Sequence, residues 1–134
     1  SDRSAWDFKI GSGRLQDIEL FSQMGSLLAG QKEQSVAAGI TGLVDLGIID
    51  QAQGDTLHTA YEQFWTLQLG SKLLSDGAFD PEIVGDGGQS FILGISNSEQ
   101  LDTLQNKTTF RETAARSIIE TVLPEPQEDV DERG

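Results

Sequence analysis

QAQGDTLHTAYEQFWTLQLGSKLLS, spanning Gln51–Ser75, decides the fold class. Leu57, Ala60, Tyr61, Phe64, Leu67 and Leu74 recur at helical spacing, and Trp65, Leu69 and Leu73 widen the apolar surface beyond one stripe. A helix apolar over so much of its circumference belongs at the centre of a bundle, contacted on more than one side. Asp50 with Gln53 three residues on forms a capping-box pattern at its start, and Gly47 separates it from the helix before.

On the N-terminal side the spacing predicts a helix from Leu15 to Ala29. Ile18, Phe21, Met24 or Gly25, and Leu28 form its stripe, Leu20 and Leu27 widen it, and Gly30 ends it. Ser35 caps a second helix with Val36, Ile40, Leu43, Val44 and Ile48 on the buried face. Gly39 and Gly42 each weaken that helix by roughly 1 kcal/mol relative to alanine, so they are read as marks of close helix contact, with hinge points as the other reading.

On the C-terminal side, Asp76-Gly77-Ala78-Phe79-Asp80-Pro81 and Gly85-Asp86-Gly87-Gly88 break the pattern and read as the principal loop. Phe91–Ile95 suits a strand or a helical turn; with no second strand nearby, the helix is preferred. Asn97 and Gln100 are expected to cap a short helix through Leu101 and Leu104. Thr109 and Glu112 make a capping box for a last helix with Ala114, Ile118 and Val122, stopped by Pro124. The fold class is therefore all-α, a bundle of four to six helices with an N-terminal extended segment. The expected division is an extended segment over 1–13, a helical domain over 14–123 and an acidic linker or tail over 124–134.

The 134 residues are one domain's worth. No apolar run approaches the roughly 20 residues that span a bilayer, and the start lacks a signal-peptide layout. With no cysteine, neither a disulfide framework nor a thiolate metal site is available, and cytoplasmic residence is expected. A net charge of -13 argues against nucleic acid and anionic membrane as partners. His58 is the sole histidine, so no multi-histidine metal cluster forms within the chain; on its helix it is expected at the surface. Asp80, Glu82 and Asp86 are donors of the kind that hold magnesium or calcium, but their segment lacks the regular spacing of a calcium loop. No metal ligand is assigned.

The segment that suggests chemistry is Lys9-Ile10-Gly11-Ser12-Gly13-Arg14-Leu15-Gln16-Asp17-Ile18-Glu19. Before it, Trp6, Phe8 and Ile10 alternate with Asp7 and Lys9, the pattern of a half-buried strand, although no partner strand is evident. Gly11 and Gly13 permit a sharp turn, after which Asp17 and Glu19 suit the positive end of a helix dipole. Two readings are open: Lys9 and the carboxylates face a nucleotide or metal site, or the segment is an ordinary strand-to-helix corner.

This segment resembles the Lys-x-Gly-x-Gly-Gly-Leu-Arg-Asp-Ile-Glu motif of the glutamine synthetase adenylyltransferase family. Lys9, Gly11, Gly13, Leu15, Asp17, Ile18 and Glu19 match; Arg14 stands where the family has a second glycine and Gln16 where it has arginine. Weaker resemblance continues through Leu20-Phe21-Ser22-Gln23, through Leu57 to Leu74 and through Gln89-Ser90-Phe91-Ile92-Leu93. The resemblance implies a junction at which a nucleotidyltransferase domain ends and a helical domain begins. It implies that the complete enzyme moves AMP from ATP, with magnesium, onto glutamine synthetase, that a second half removes it, and that glutamine and PII signal protein regulate the balance. The phosphate-cradling turn and metal-binding carboxylate pair of the family precede the motif, so the chain reads as a fragment inactive alone, positioning glutamine synthetase or neighbouring domains. Lys9, Asp17 and Glu19 are the residues expected near the cleft of the intact enzyme, Asp17 and Glu19 orienting Lys9 or a substrate group, with Gly11 and Gly13 forming the turn. The helical domain of a PII uridylyltransferase, which shares the Gly-Gly-Leu-Arg-Asp type of motif, and a stand-alone helical interaction module are the alternatives.

Overall fold

A computed structural model describes residues 3–32, 35–75 and 79–124. Five α-helices account for most of them: α1 (Leu15–Leu28), α2 (Val36–Asp45), α3 (Gln51–Leu74), α4 (Pro81–Ile95) and α5 (Leu101–Val122), preceded by a 3-10 turn at Arg3–Trp6. The all-α bundle expected from the sequence is the architecture found. The acidic run 125–134 and Asp76, Gly77 and Ala78 lie outside the described residues.

Helix α3 is the axis, packing against each of the other four helices. Its start is the expected capping box: Asp50 Oδ1 accepts from the Gln53 amide at 2.8 Å and Gln53 Oε1 from the Asp50 amide at 2.9 Å. Leu57, Ala60, Phe64 and Leu67 are fully buried, and each of the larger three contributes about 1.5–3 kcal/mol through removal of apolar surface from water. The widened face predicted for Trp65, Leu69 and Leu73 is not covered; all three are exposed. The neighbours of α3 meet it along its main stripe.

Helices α1 and α2 cross with backbones almost touching. A Cβ on Gly25 would strike the Gly39 carbonyl, and one on Gly39 would strike the Ser22 carbonyl. The close-contact reading of Gly39 and Gly42 is thus the correct one. Buried on this side of α1 are Ser22, Gly25 and Ser26 rather than Leu20, Leu27 and Leu28, which are exposed. Small residues are what such an approach requires, and a large side chain there would hold the helices apart. Gly30 closes α1 at φ 68, its amide reaching Leu27 O while Gln31 N–H reaches Ser26 O, a Schellman arrangement.

Three expectations fail for physical reasons. The strand over 5–10 does not form. Its alternation correctly places Trp6 and Phe8 in the core, but Ile10 is 60% exposed. With no edge to pair with, the backbone finds local partners: Asp7 Oδ1 accepts from the Lys9 and Ile10 amides, both at 3.1 Å.

The expected loop at 85–88 is helix, bent at Gly85, where φ 73 and ψ -176 interrupt α4. Gln89 Nε2 donates to Pro81 O at 2.7 Å across the bend, satisfying a carbonyl near the helix start. Pro81 at the first turn and the Asp80 carboxylate, accepting from the Glu82 amide at 3.0 Å, start this helix.

The two short helices expected after Asn97 are one, α5. Leu104, Thr108, Ala115, Ile118 and Ile119 keep an unbroken buried stripe through it, so Thr109 begins nothing and Glu112 turns elsewhere. Asn97 ends α4 in the left-handed conformation at φ 57 instead of capping the next helix.

Candidate functional site

The corner before α1 is built from backbone and one carboxylate. Gly11 and Gly13 adopt φ 146 and 80, and the Arg14 amide donates to Gly11 O at 3.0 Å to close the turn. Gly13 is required twice over: its φ disfavours other residues, and a Cβ there would collide with the Glu112 carbonyl of α5. The first amides of α1 are already used, Leu15 N–H by Phe8 O at 3.3 Å and Gln16 N–H by Lys9 O at 2.9 Å. Asp17 Oδ2 accepts from the Gly13 amide at 2.8 Å, so a first-turn carboxylate pins the turn that precedes its own helix.

Arg14 fastens this corner to the bundle. The residue is only 7% exposed; its guanidinium donates to Asp7 O and to Glu112 Oε1, the latter at 2.7 Å. Such a charge-assisted pair, largely out of water, is costly to break from one side because it strands the other charge. Glu112 also lies 3.9 Å from Arg116 through its second oxygen. Above the corner, Trp6, Phe8 and Phe79 form an aromatic cluster, with Trp6 and Phe79 edge to face at 5.3 Å.

A cleft of about 410 Å³ opens between the corner and the end of α5, lined among others by Gly11, Gln16, Asp17, Leu20, Arg116 and Glu120. Of the residues singled out from sequence, it brings together Gly11 and Asp17. Lys9 is exposed and does not line it. Glu19 points along another face of α1 toward Tyr61 of α3, whose phenol is pushed above its ordinary value first by partial burial and second by the Glu19 charge. No described ion pair joins Lys9 to Asp17 or Glu19.

The residues missed from sequence are Arg14, Glu112 and Arg116. A signal existed: Arg14 is an arginine inside a glycine turn, and Glu112 and Arg116 share a helix face at i,i+4.

Among the described residues no group of three or more histidines, cysteines, aspartates or glutamates is arranged to hold a metal ion. With its first two α1 amides engaged, the corner does not offer a phosphate cradle either. His58 lies at the surface, 3.3 Å from Glu62. Among the described residues no helix is long and apolar enough to cross a membrane.

No protein-family model matches the chain, and no solved structure matches it. Among curated proteins it is similar to the bifunctional glutamine synthetase adenylyltransferase/adenylyl-removing enzyme of Idiomarina loihiensis (strain ATCC BAA-735 / DSM 15497 / L2-TR). The two are 25% identical over 134 residues, taking in 96% of this chain and 14% of that protein. The chain thus corresponds in length to a small part of this relative, and the similarity is that of a related domain.

Proposed function

We infer that this chain is a helical domain of a glutamine synthetase adenylyltransferase, a cytoplasmic enzyme that transfers AMP from ATP to glutamine synthetase. The observation that carries the reading is the similarity over 96% of the chain to a segment of the bifunctional enzyme. The corner adds support, since its glycines, Asp17 and Arg14 fix the angle at which residues 5–13 enter the bundle. A rigid entry suits a domain that holds a protein substrate or neighbouring domains in place. ATP and magnesium would be held outside these residues, with glutamine synthetase and the PII signal protein as partners of the whole enzyme. In that setting exposed Lys9 reaches outward toward the catalytic neighbour, while Asp17 sets the turn beneath it.

The test is AMP incorporation into glutamine synthetase from labelled ATP. The 134-residue chain alone should transfer none, and the product of the full reading frame that encodes it should be active and lose activity when residues 14–123 are deleted. Transfer by the isolated chain overturns the positioning role. An inactive full-length product overturns the adenylyltransferase reading. Within an active product, Lys9→Ala should lower turnover without lowering the melting temperature, and unchanged turnover would remove Lys9 from the cleft.

A further inference from the structure

Only nine lysines and arginines stand against 22 aspartates and glutamates, and three of the nine fall on α5: Lys107, Arg111 and Arg116. Arg116 is turned to Glu112. Lys107 and Arg111 have no carboxylate within ion-pair distance among the described residues. Both are nevertheless held in place. Lys107 Nζ donates to Asn97 O at 2.8 Å and Ser96 O at 3.3 Å, at the end of α4, and Arg111 Nε donates to Gln63 Oε1 of α3 at 2.7 Å. An ammonium has three donors and a guanidinium five. One hydrogen of Lys107 and the terminal nitrogens of Arg111 are therefore still available to an incoming oxygen.

Phe110, 67% exposed, sits beside these two cations. It walls two clefts at once. One, of about 310 Å³, continues along α5 past Lys107 and Asn106; the other, of about 260 Å³, faces Asp55 and Thr59 of α3. An exposed aromatic ring between concave surfaces, next to positioned but uncompensated cations, is the composition of a recognition surface. The charge states what fits. On a chain of net charge -13, an extended polyanion meets repulsion over most of its length, whereas a short acidic peptide places its carboxylates at one point. Asp55, held by Gln51 Nε2 at 2.9 Å, shares the second cleft with Arg111 and disfavours carboxylates there, so the first cleft, lined by both Lys107 and Arg111 and by no carboxylate, is where they are received.

We propose that the Phe110 face of α5 is a docking site for an acidic protein segment that carries an apolar anchor residue. Lys107 and Arg111 receive its carboxylates, and the clefts beside Phe110 receive the anchor. The site is independent of the adenylyltransferase reading.

The test titrates a fluorescein-labelled octapeptide, a Leu-Leu pair flanked by Asp and Glu, with the 134-residue chain and follows anisotropy. Binding should be saturable and about tenfold weaker in Phe110→Ala and in Arg111→Gln. It should fall as sodium chloride rises from about 50 to about 300 mM, and a peptide with Gly-Gly in place of Leu-Leu should bind more weakly. Phe110 is exposed, so its alanine variant should retain the parent helical circular dichroism; should Arg111→Gln lose it, Phe110→Ala decides alone. Absence of saturable binding, or equal affinity for Phe110→Ala, overturns the proposal. So does binding of a single-stranded oligonucleotide or of phosphatidylserine vesicles that the octapeptide does not displace.

Discussion

Helices α2 and α4 look alike on paper, each apolar and interrupted by glycines, yet Gly39 of α2 and the pair Gly85 and Gly87 of α4 do opposite things. Gly39 of α2 lies against the Ser22 carbonyl of α1, and Gly25 of α1 lies against the Gly39 carbonyl in return. There is no room for a methyl group on either, and the atoms in the way are backbone. In α4, Gly85 and Gly87 have nothing within 4 Å of where a Cβ would stand. Gly85 is needed for its conformation alone, and Gly87 for neither reason. A glycine in a helical sequence therefore signals close approach only if a neighbouring helix can use the space. The difference is one of packing: α1 and α2 approach to backbone contact, while α4 is a bent helix with Ile83 and Phe91 still facing water.

The sharpest way to break this contrast is Gly39→Ala. The gain of about 1 kcal/mol in helix propensity is outweighed because the methyl group meets a carbonyl that can retreat only if α1 moves, so a net loss of about 2–3 kcal/mol is expected. Urea unfolding measures it, and an unchanged midpoint would mean that the two helices are not in backbone contact. Gly85→Ala should cost less, about 1–2 kcal/mol, since the space is open and only the backbone region is unfavourable. Gly87→Ala should be opposite in sign, raising stability by about 0.5–1 kcal/mol. If Gly87→Ala proves as damaging as Gly39→Ala, α4 is packed as tightly as α2 and the distinction fails.

Much of this was legible from residue spacing. The α3 stripe and its capping box and the end of α1 at Gly30 follow from local rules, because each depends on residues within a few positions of one another; Gly39 hinted at a close contact, but its partners Ser22 and Gly25 lie on another helix. What was not legible depends on distant partners. Phe79 looks like a lone apolar residue in a turn-forming run, yet it is buried because Trp6 and Phe8 meet it from the other end of the chain. Thr109 and Glu112 satisfy a capping pattern, but the apolar stripe of α5 runs through them. Glu112 is instead claimed by Arg14, 98 positions earlier. At the corner, the turn was readable from Gly11 and Gly13. The divergence of Asp17 and Glu19 was also readable, since residues two apart on a helix face different sides; that Lys9 stays exposed outside the cleft was not, because it depends on how the turn meets α5.

Tyr61 supplies the finest test of the contrast. It is the single tyrosine, stacked on Trp65 with ring centres 6.4 Å apart, and its ionisation is pushed above the ordinary value of 10.0 by burial first and by Glu19 of α1 second. The folded chain thus holds the phenol proton more tightly than the unfolded chain does. The associated stability is complete below the unfolded value and is lost as pH rises through the folded one. Glu19→Gln removes the second cause, so the midpoint of tyrosinate absorbance should fall but stay above the unfolded value, because burial remains. An unmoved midpoint would mean that Glu19 does not face Tyr61. The same titration then compares the two glycine sites: Gly39→Ala displaces α1, which carries Glu19, and should shift the midpoint, whereas Gly87→Ala, remote from both residues in sequence and packed on neither, should leave it in place. Equal shifts in the two variants would show that strain passes as freely from α4 as from the α1–α2 contact, and the bundle would then have to be treated as one uniformly coupled body.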